Sequence, residues 1–99
     1  EVQNPLRDIL YFEAGRHVTL IHTLTDTISV TRVLSTVCED FEQNPEFIRV
    51  GRSYLINRLY VRNVVQTDIE MMNSSIIPIP VRLQKEIRQQ LNLDNSSKR

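Results

Sequence analysis

Phe47 to Arg62, FIRVGRSYLINRLYVR, is the stretch on which the reading of this chain turns. Arg49, Arg52, Arg58 and Arg62 fall inside it with no acidic residue among them, so four of the chain's 12 Lys and Arg residues stand in one short segment. Phe47, Ile48, Val50, Tyr54, Leu55, Ile56, Leu59, Tyr60 and Val61 run through the same segment, and a purely solvated charge run would not carry so much apolar surface. The segment therefore belongs to a core and presents arginine outward, as a surface for a polyanion such as DNA would.

The rest of the composition sets limits on that idea. The chain has 99 residues, 40% of them hydrophobic, enough for one domain with a modest core. Its formal net charge is zero, so the case for nucleic acid rests on where the charges sit and not on their sum. Cys38 is the single cysteine, which excludes an internal disulfide framework and a cysteine-based zinc cluster. No run approaches the roughly 18 apolar residues of a membrane span, and the start of the chain lacks the pattern of a signal peptide. The cytoplasm is the compartment expected. The sequence has no initiating Met and ends in a polar run, which reads as the C-terminal piece of a longer protein.

Going outward from the central stretch, residues 1–7 read as a linker, 8–92 as the domain and 93–99 as a polar tail. Asp8–Glu13, Val18–His22 and Asp26–Val30 are β-branched and apolar enough to be strands, with Gly15-Arg16-His17 as a hairpin turn. From Thr31 the period changes. Val33, Leu34, Val37, Cys38 and Phe41 follow helical spacing, which predicts a helix of about three turns capped by Thr31 or Ser29 and ended by Asn44-Pro45. Phe47–Val50 reads as a strand, while Ser53–Asn57 suits a strand or a short helical turn equally. Leu59–Val65, Thr67–Met72 and Ile76–Ile79 are further strands, the last an edge because Pro78 and Pro80 cannot donate to a ladder. Pro80 suits the first turn of a second helix, with Val81, Leu83, Ile87 and Leu91 as its apolar face. The sum is about seven short strands and two helices.

The residues that carry a resemblance are Ile9-Leu10-Tyr11-Phe12-Glu13 near the start, Phe47 to Asn57 in the middle and Ile77-Pro78-Ile79-Pro80-Val81-Arg82 near the end. With these, Asp8 to Leu91 resembles the LytTR (LytR/AgrA-type) DNA-binding domain of bacterial response regulators, and the middle motif is the specific one. The resemblance implies a mostly β fold, an elongated stack of three short antiparallel sheets with about two short helices. It also implies that loop residues, not a recognition helix, enter successive DNA grooves. Carried over position by position, the base contacts fall on Arg16 or His17 in the first hairpin, on Arg52 before the serine, and on Arg82 after the Pro-Val pair. Two positions depart from the family pattern: Gly51 stands where histidine is usual, and Pro80 where a small polar residue such as serine is common.

Each assignment has a plainer rival. Arg52 has the planar fork that holds O6 and N7 of a guanine, or it is an exposed arginine on a turn. Arg82 reads a base or pairs with Glu86 one helical turn on. Arg16 and His17 reach a groove or are merely solvated. Ser53, Tyr54 and Asn57 are candidate phosphate donors, but Tyr54 suits the core equally and Asn57 suits a cap. Arg49, Arg58, Lys85 and Arg88 add positive field and backbone contact.

Enzyme readings are weak. His17 and His22 form no recognisable metal set, a Glu13–His22 pair across a hairpin is a common surface feature, and there is no phosphate-binding glycine loop or nucleophile elbow. No cofactor is implied. The expectation is a non-enzymatic, sequence-specific binder of double-stranded DNA in a transcriptional regulator. By family resemblance it sits behind a phosphorylatable receiver or sensory domain and binds tandem repeats as a dimer. The rival is a protein-interaction or sensory module in which the arginines are simply surface, and the zero net charge favours it.

Overall fold

A computed structural model describes residues 8–65 and 67–96, with side chains as far as Leu91. The linker reading of residues 1–7 and the last part of the tail, 97–99, lie outside the described residues.

Among the described residues there are eight strands: β1 (Ile9–Ala14), β2 (Thr19–Thr23), β3 (Thr27–Val30), β4 (Phe47–Val50), β5 (Tyr54–Asn57), β6 (Val61–Val64), β7 (Asp68–Met71) and β8 (Ile76–Pro78). Helix α1 (Leu34–Asp40) lies between β3 and β4, α2 (Gln84–Ser96) follows β8, and 3-10 turns occupy Arg58–Tyr60 and Val81–Leu83. The mostly β architecture with two helices is the one expected. The strands form two antiparallel sheets and not three: β3-β2-β1-β5-β4 and β6-β7-β8. The first hairpins and the FIRV hairpin are one sheet because β1 pairs on both edges, Phe12 lying opposite Ile21 on one side and Leu55 on the other.

Ser53–Asn57, open between strand and turn in the sequence, is a strand from Tyr54 onward. Its central position explains the ambiguity, because a strand covered on both faces shows a continuous apolar run and no alternation. Leu55 packs towards α1 with Ile9, Phe12, Leu34, Val37 and Phe47. Ile56 packs on the other face with Leu10, Tyr11, Ile48 and Val50, against Ile69, Met71 and Ile77 of the small sheet and Ile87 and Leu91 of α2. The domain is thus three layers, with the five-stranded sheet in the middle. Phe12, Phe41 and Phe47 close the α1 side with ring centroids 4.8–5.8 Å apart in tilted and edge-on arrangements, the geometry that aromatic quadrupoles favour.

Three details differ from expectation. Helix α1 is shorter than three turns and starts after Val33, with no side-chain cap; Thr31 and Ser29 stand in or just beyond β3 instead. The second helix begins at Gln84, because Val81–Leu83 first make a tighter turn closed by Leu83 N–H donating to Pro80 O at 2.9 Å. Val81 is consequently not on an apolar helix face but 84% exposed. At its far end α2 runs to Ser96, through residues read as tail.

Candidate nucleic-acid interface

In an antiparallel sheet the turn joining β1 to β2 and the turn joining β4 to β5 must lie at the same end, since Glu13 pairs with Tyr54 across the β1–β5 ladder. Ala14 N–H donates to Ser53 O at 2.8 Å, which ties the two turns side by side. Arg16 and His17 form the apex of the first, closed by Gly15 N–H donating to Val18 O at 2.9 Å. His17 holds a left-handed backbone, φ 65°, so the turn bends back sharply enough to leave both side chains exposed.

The second turn is Gly51-Arg52-Ser53. Gly51 has φ 67°, a conformation that costs a residue with a Cβ roughly 1–2 kcal/mol. Arg49 points to the opposite face from Val50, as strand alternation requires, and its Nε donates to Gly51 O at 3.0 Å. That guanidinium therefore braces the turn that projects Arg52. Arg52 and Ser53 are exposed, whereas Tyr54 is half-buried against the core. Tyr54 has its hydroxyl pKa raised, first by burial and then by the negative charge of Glu13 and the neighbouring Tyr11.

The third element comes from the other sheet. Ile79 N–H donates to Thr67 O at 2.9 Å and Gln84 Nε2 donates to Ile79 O at 3.1 Å, which clamps both flanks of Pro80-Val81-Arg82. Pro80 lies directly over Gly51: a Cβ built on that glycine would stand 3.0 Å from Pro80 Cγ. Residues 50–54 and 78–80 together line one shallow hollow. The three sequence-distant base-contact candidates, Arg16/His17, Arg52 and Arg82, are thus carried by turns that adjoin at one end of the fold.

None of Arg16, Arg52 and Arg82 makes a hydrogen bond or ion pair with another described residue, whereas Arg32 pairs with Asp40 at 2.8 Å and Arg62 with Glu70 at 3.3 Å. The expected rival for Arg82, a pair with Glu86, is not formed. Lys85 is exposed just beyond Arg82, and Arg88 is half-buried, its Nε donating to Gln84 O at 3.4 Å.

Two candidates lie elsewhere. Asn57 is 1% exposed; its Nδ2 donates to Ile9 O at 2.9 Å and its Oδ1 accepts from Leu59 N–H at 3.0 Å. Of its two expected roles it fills the capping one, and its amide has no free side for phosphate. Arg58 follows at the same far end of β5, its N–H donating to Glu46 O at 2.8 Å, remote from Arg52 along the strand. Arg32, whose guanidinium is taken up by Asp40, also lies nearby; its carbonyl accepts from the buried Thr19 hydroxyl at 2.7 Å. Val30 pairs with Thr19, so Arg32 stands at the same end as the hairpin turn; no periodicity marks it.

Glu13 and His22 do meet across β1 and β2, at 2.8 Å, with His22 stacked on Tyr11 at 4.3 Å between centroids. Among the described residues no group of three or more His, Cys, Asp or Glu side chains is placed to hold a metal ion. No helix among them is long and apolar enough to cross a membrane.

The family model for the LytTr DNA-binding domain matches residues 2–92. Among solved structures, the chain is similar to a LytTr DNA-binding domain from Bacillus cereus, described as part of a methyl-accepting/DNA response regulator. The two share 21% sequence identity over 91% of this chain and 86% of that one, with a TM-score of 0.73. No curated protein matches.

Proposed function

Since the chain belongs to the LytTr DNA-binding domain family, we propose that it binds double-stranded DNA in a sequence-specific way by inserting turn residues into successive grooves. The observation that carries this reading is the convergence of Arg16/His17, Arg52 and Arg82 on adjoining turns, the three guanidinium groups unpaired with any other described residue. Arginines that a protein leaves unpaired and close together repel one another, and a phosphate backbone relieves that repulsion.

Arg52 is the principal base reader, taking O6 and N7 of a guanine. Arg82 and the Arg16-His17 turn read bases in the neighbouring grooves. Ser53, Tyr54, Lys85 and Arg88 serve the phosphate backbone; Arg49 acts through the turn it braces and Arg58 through its field alone. The same reading makes the domain the non-enzymatic output of a two-component type transcriptional regulator, behind a receiver or sensory domain and dimeric on tandem repeats.

Selection from a random duplex pool followed by salt titration tests the proposal. A consensus should emerge, and log K should fall linearly with log salt at about −0.9 per phosphate neutralised. Absence of both a consensus and duplex binding at low salt would overturn it in favour of a protein-interaction module.

A further inference from the structure

An apolar side chain alone on a protein surface is ordinary. Val81 differs in where it stands and how firmly it is held. It is 84% exposed, more than Leu59 at 67% or Leu24 at 57%, and it lies at the apex of the clamped turn between Pro80, seated on Gly51, and Arg82. Both ends of that turn are anchored in the core, Ile79 at 4% exposure on one side and Leu83 packed against the main cluster on the other. A 3-10 turn rotates about 120° per residue, so Val81 and Arg82 leave the apex in different directions. Valine is also stiff at χ1, so little side-chain freedom is lost when it is pressed against a partner.

We propose that Val81 reads a thymine, its methyl groups meeting the C5-methyl in the major groove at a base pair next to the one held by Arg82. This rests on the DNA-binding reading above. The chemistry fits because the C5-methyl is the one apolar mark on the major-groove edge, where a guanidinium has nothing to recognise. A valine beside an arginine on one rigid apex therefore distinguishes a two-base step, one member by hydrogen bonds and the other by methyl contact.

The test uses the selected duplex with each thymine replaced in turn by deoxyuridine, which removes only the methyl. The wild-type domain is expected to lose about fourfold in affinity at one position next to the Arg82-dependent base pair, the effect of one buried methylene-sized group. Val81→Ser should bind the thymine duplex about as weakly as wild type binds the uracil one, and no longer tell the two apart. Its thermal melt should match wild type, and Ile76→Ser, 55% exposed on β8, should keep the wild-type ratio. If no thymine is methyl-sensitive, or Val81→Ser retains the sensitivity, the inference is overturned while DNA reading by the arginines stands. Failure to bind any duplex overturns both.

Discussion

Gly51 and Pro80 touch across the junction of the two sheets, a Cβ on the glycine falling 3.0 Å from the proline ring. Both are positions singled out by the resemblance, glycine standing where it implies histidine and proline where it implies a small polar residue. Histidine at position 51 would meet the ring of Pro80 and would have to hold φ 67°. A side chain at position 51 would therefore press on the proline, and glycine lets the Arg52 turn and the Arg82 turn lie close together.

Gly51→Ala is expected to destabilise the domain by about 1–2 kcal/mol through the left-handed backbone. Each kcal/mol lowers the melting temperature of a domain this size by roughly 4–8 °C. Part of the loss is steric, so the Gly51→Ala/Pro80→Ala double variant should cost at least about 0.5 kcal/mol less than the sum of the two single changes. Urea denaturation of the four proteins measures this, and strict additivity would show that the contact carries no energy.

Arg52→Ala should cost about 1–3 kcal/mol at the selected site and relax the preference at one base pair. Arg58→Ala, at the opposite end of β5, should weaken all sequences by a smaller and equal amount. Fluorescence anisotropy on the consensus and on single-base variants separates them; equal losses would contradict the assigned roles.

Asn57→Ala removes two interactions at a buried site. Loss of the cap on Leu59 costs about 0.5–2 kcal/mol, and the Ile9 carbonyl left unsatisfied costs a further 1–3 kcal/mol or so. A drop of about 2–4 kcal/mol in unfolding free energy is expected, with DNA affinity per folded molecule unchanged. Loss of affinity in fully folded protein would instead return Asn57 to the interface.

Cys38 lies half-buried on α1 beside Arg49, and its thiol pKa is raised above the ordinary 9.0, because burial outweighs the charge and hydrogen bond of Arg49. The native state then holds the thiol proton more firmly than the unfolded chain does. The resulting stabilisation is fully present below pH 9.0 and is lost as the pH rises through the folded value. At pH 7.5 iodoacetamide should label Cys38 more slowly than a free cysteine, with a rate that climbs at more alkaline pH than for the unfolded chain.

Much of this was legible beforehand, and the misses have particular causes. Phe47-Ile48-Arg49-Val50 could be read as a strand with one outward arginine because its two faces differ in polarity. Tyr54 to Asn57 could not, because Leu55 and Ile56 are buried on opposite faces of a central strand. The resemblance implies base contacts at Arg16, Arg52 and Arg82 but not that their turns adjoin; that follows from the β1–β5 pairing and the seat of Pro80 on Gly51, neither of which leaves a local pattern. Helical spacing runs through Val81, but the hydrogen bond from Leu83 N–H to Pro80 O winds that segment tighter and turns the valine outward.

The hydrogen bond from Ala14 to Ser53 has a further consequence. It ties the first turn to the second, and Pro80 sits against Gly51 where the second meets the third. On the proposed DNA-binding reading, turns tied in this way are expected to act as a ruler that senses the distance between target bases as well as their identity. Inserting one base pair between the bases met by Arg16-His17 and by Arg52 rotates one contact about 35° around the duplex axis and shifts it about 3.4 Å along it. Turns tied together in this way are expected to lose one of the two contacts, which a binding measurement on the lengthened duplex would show.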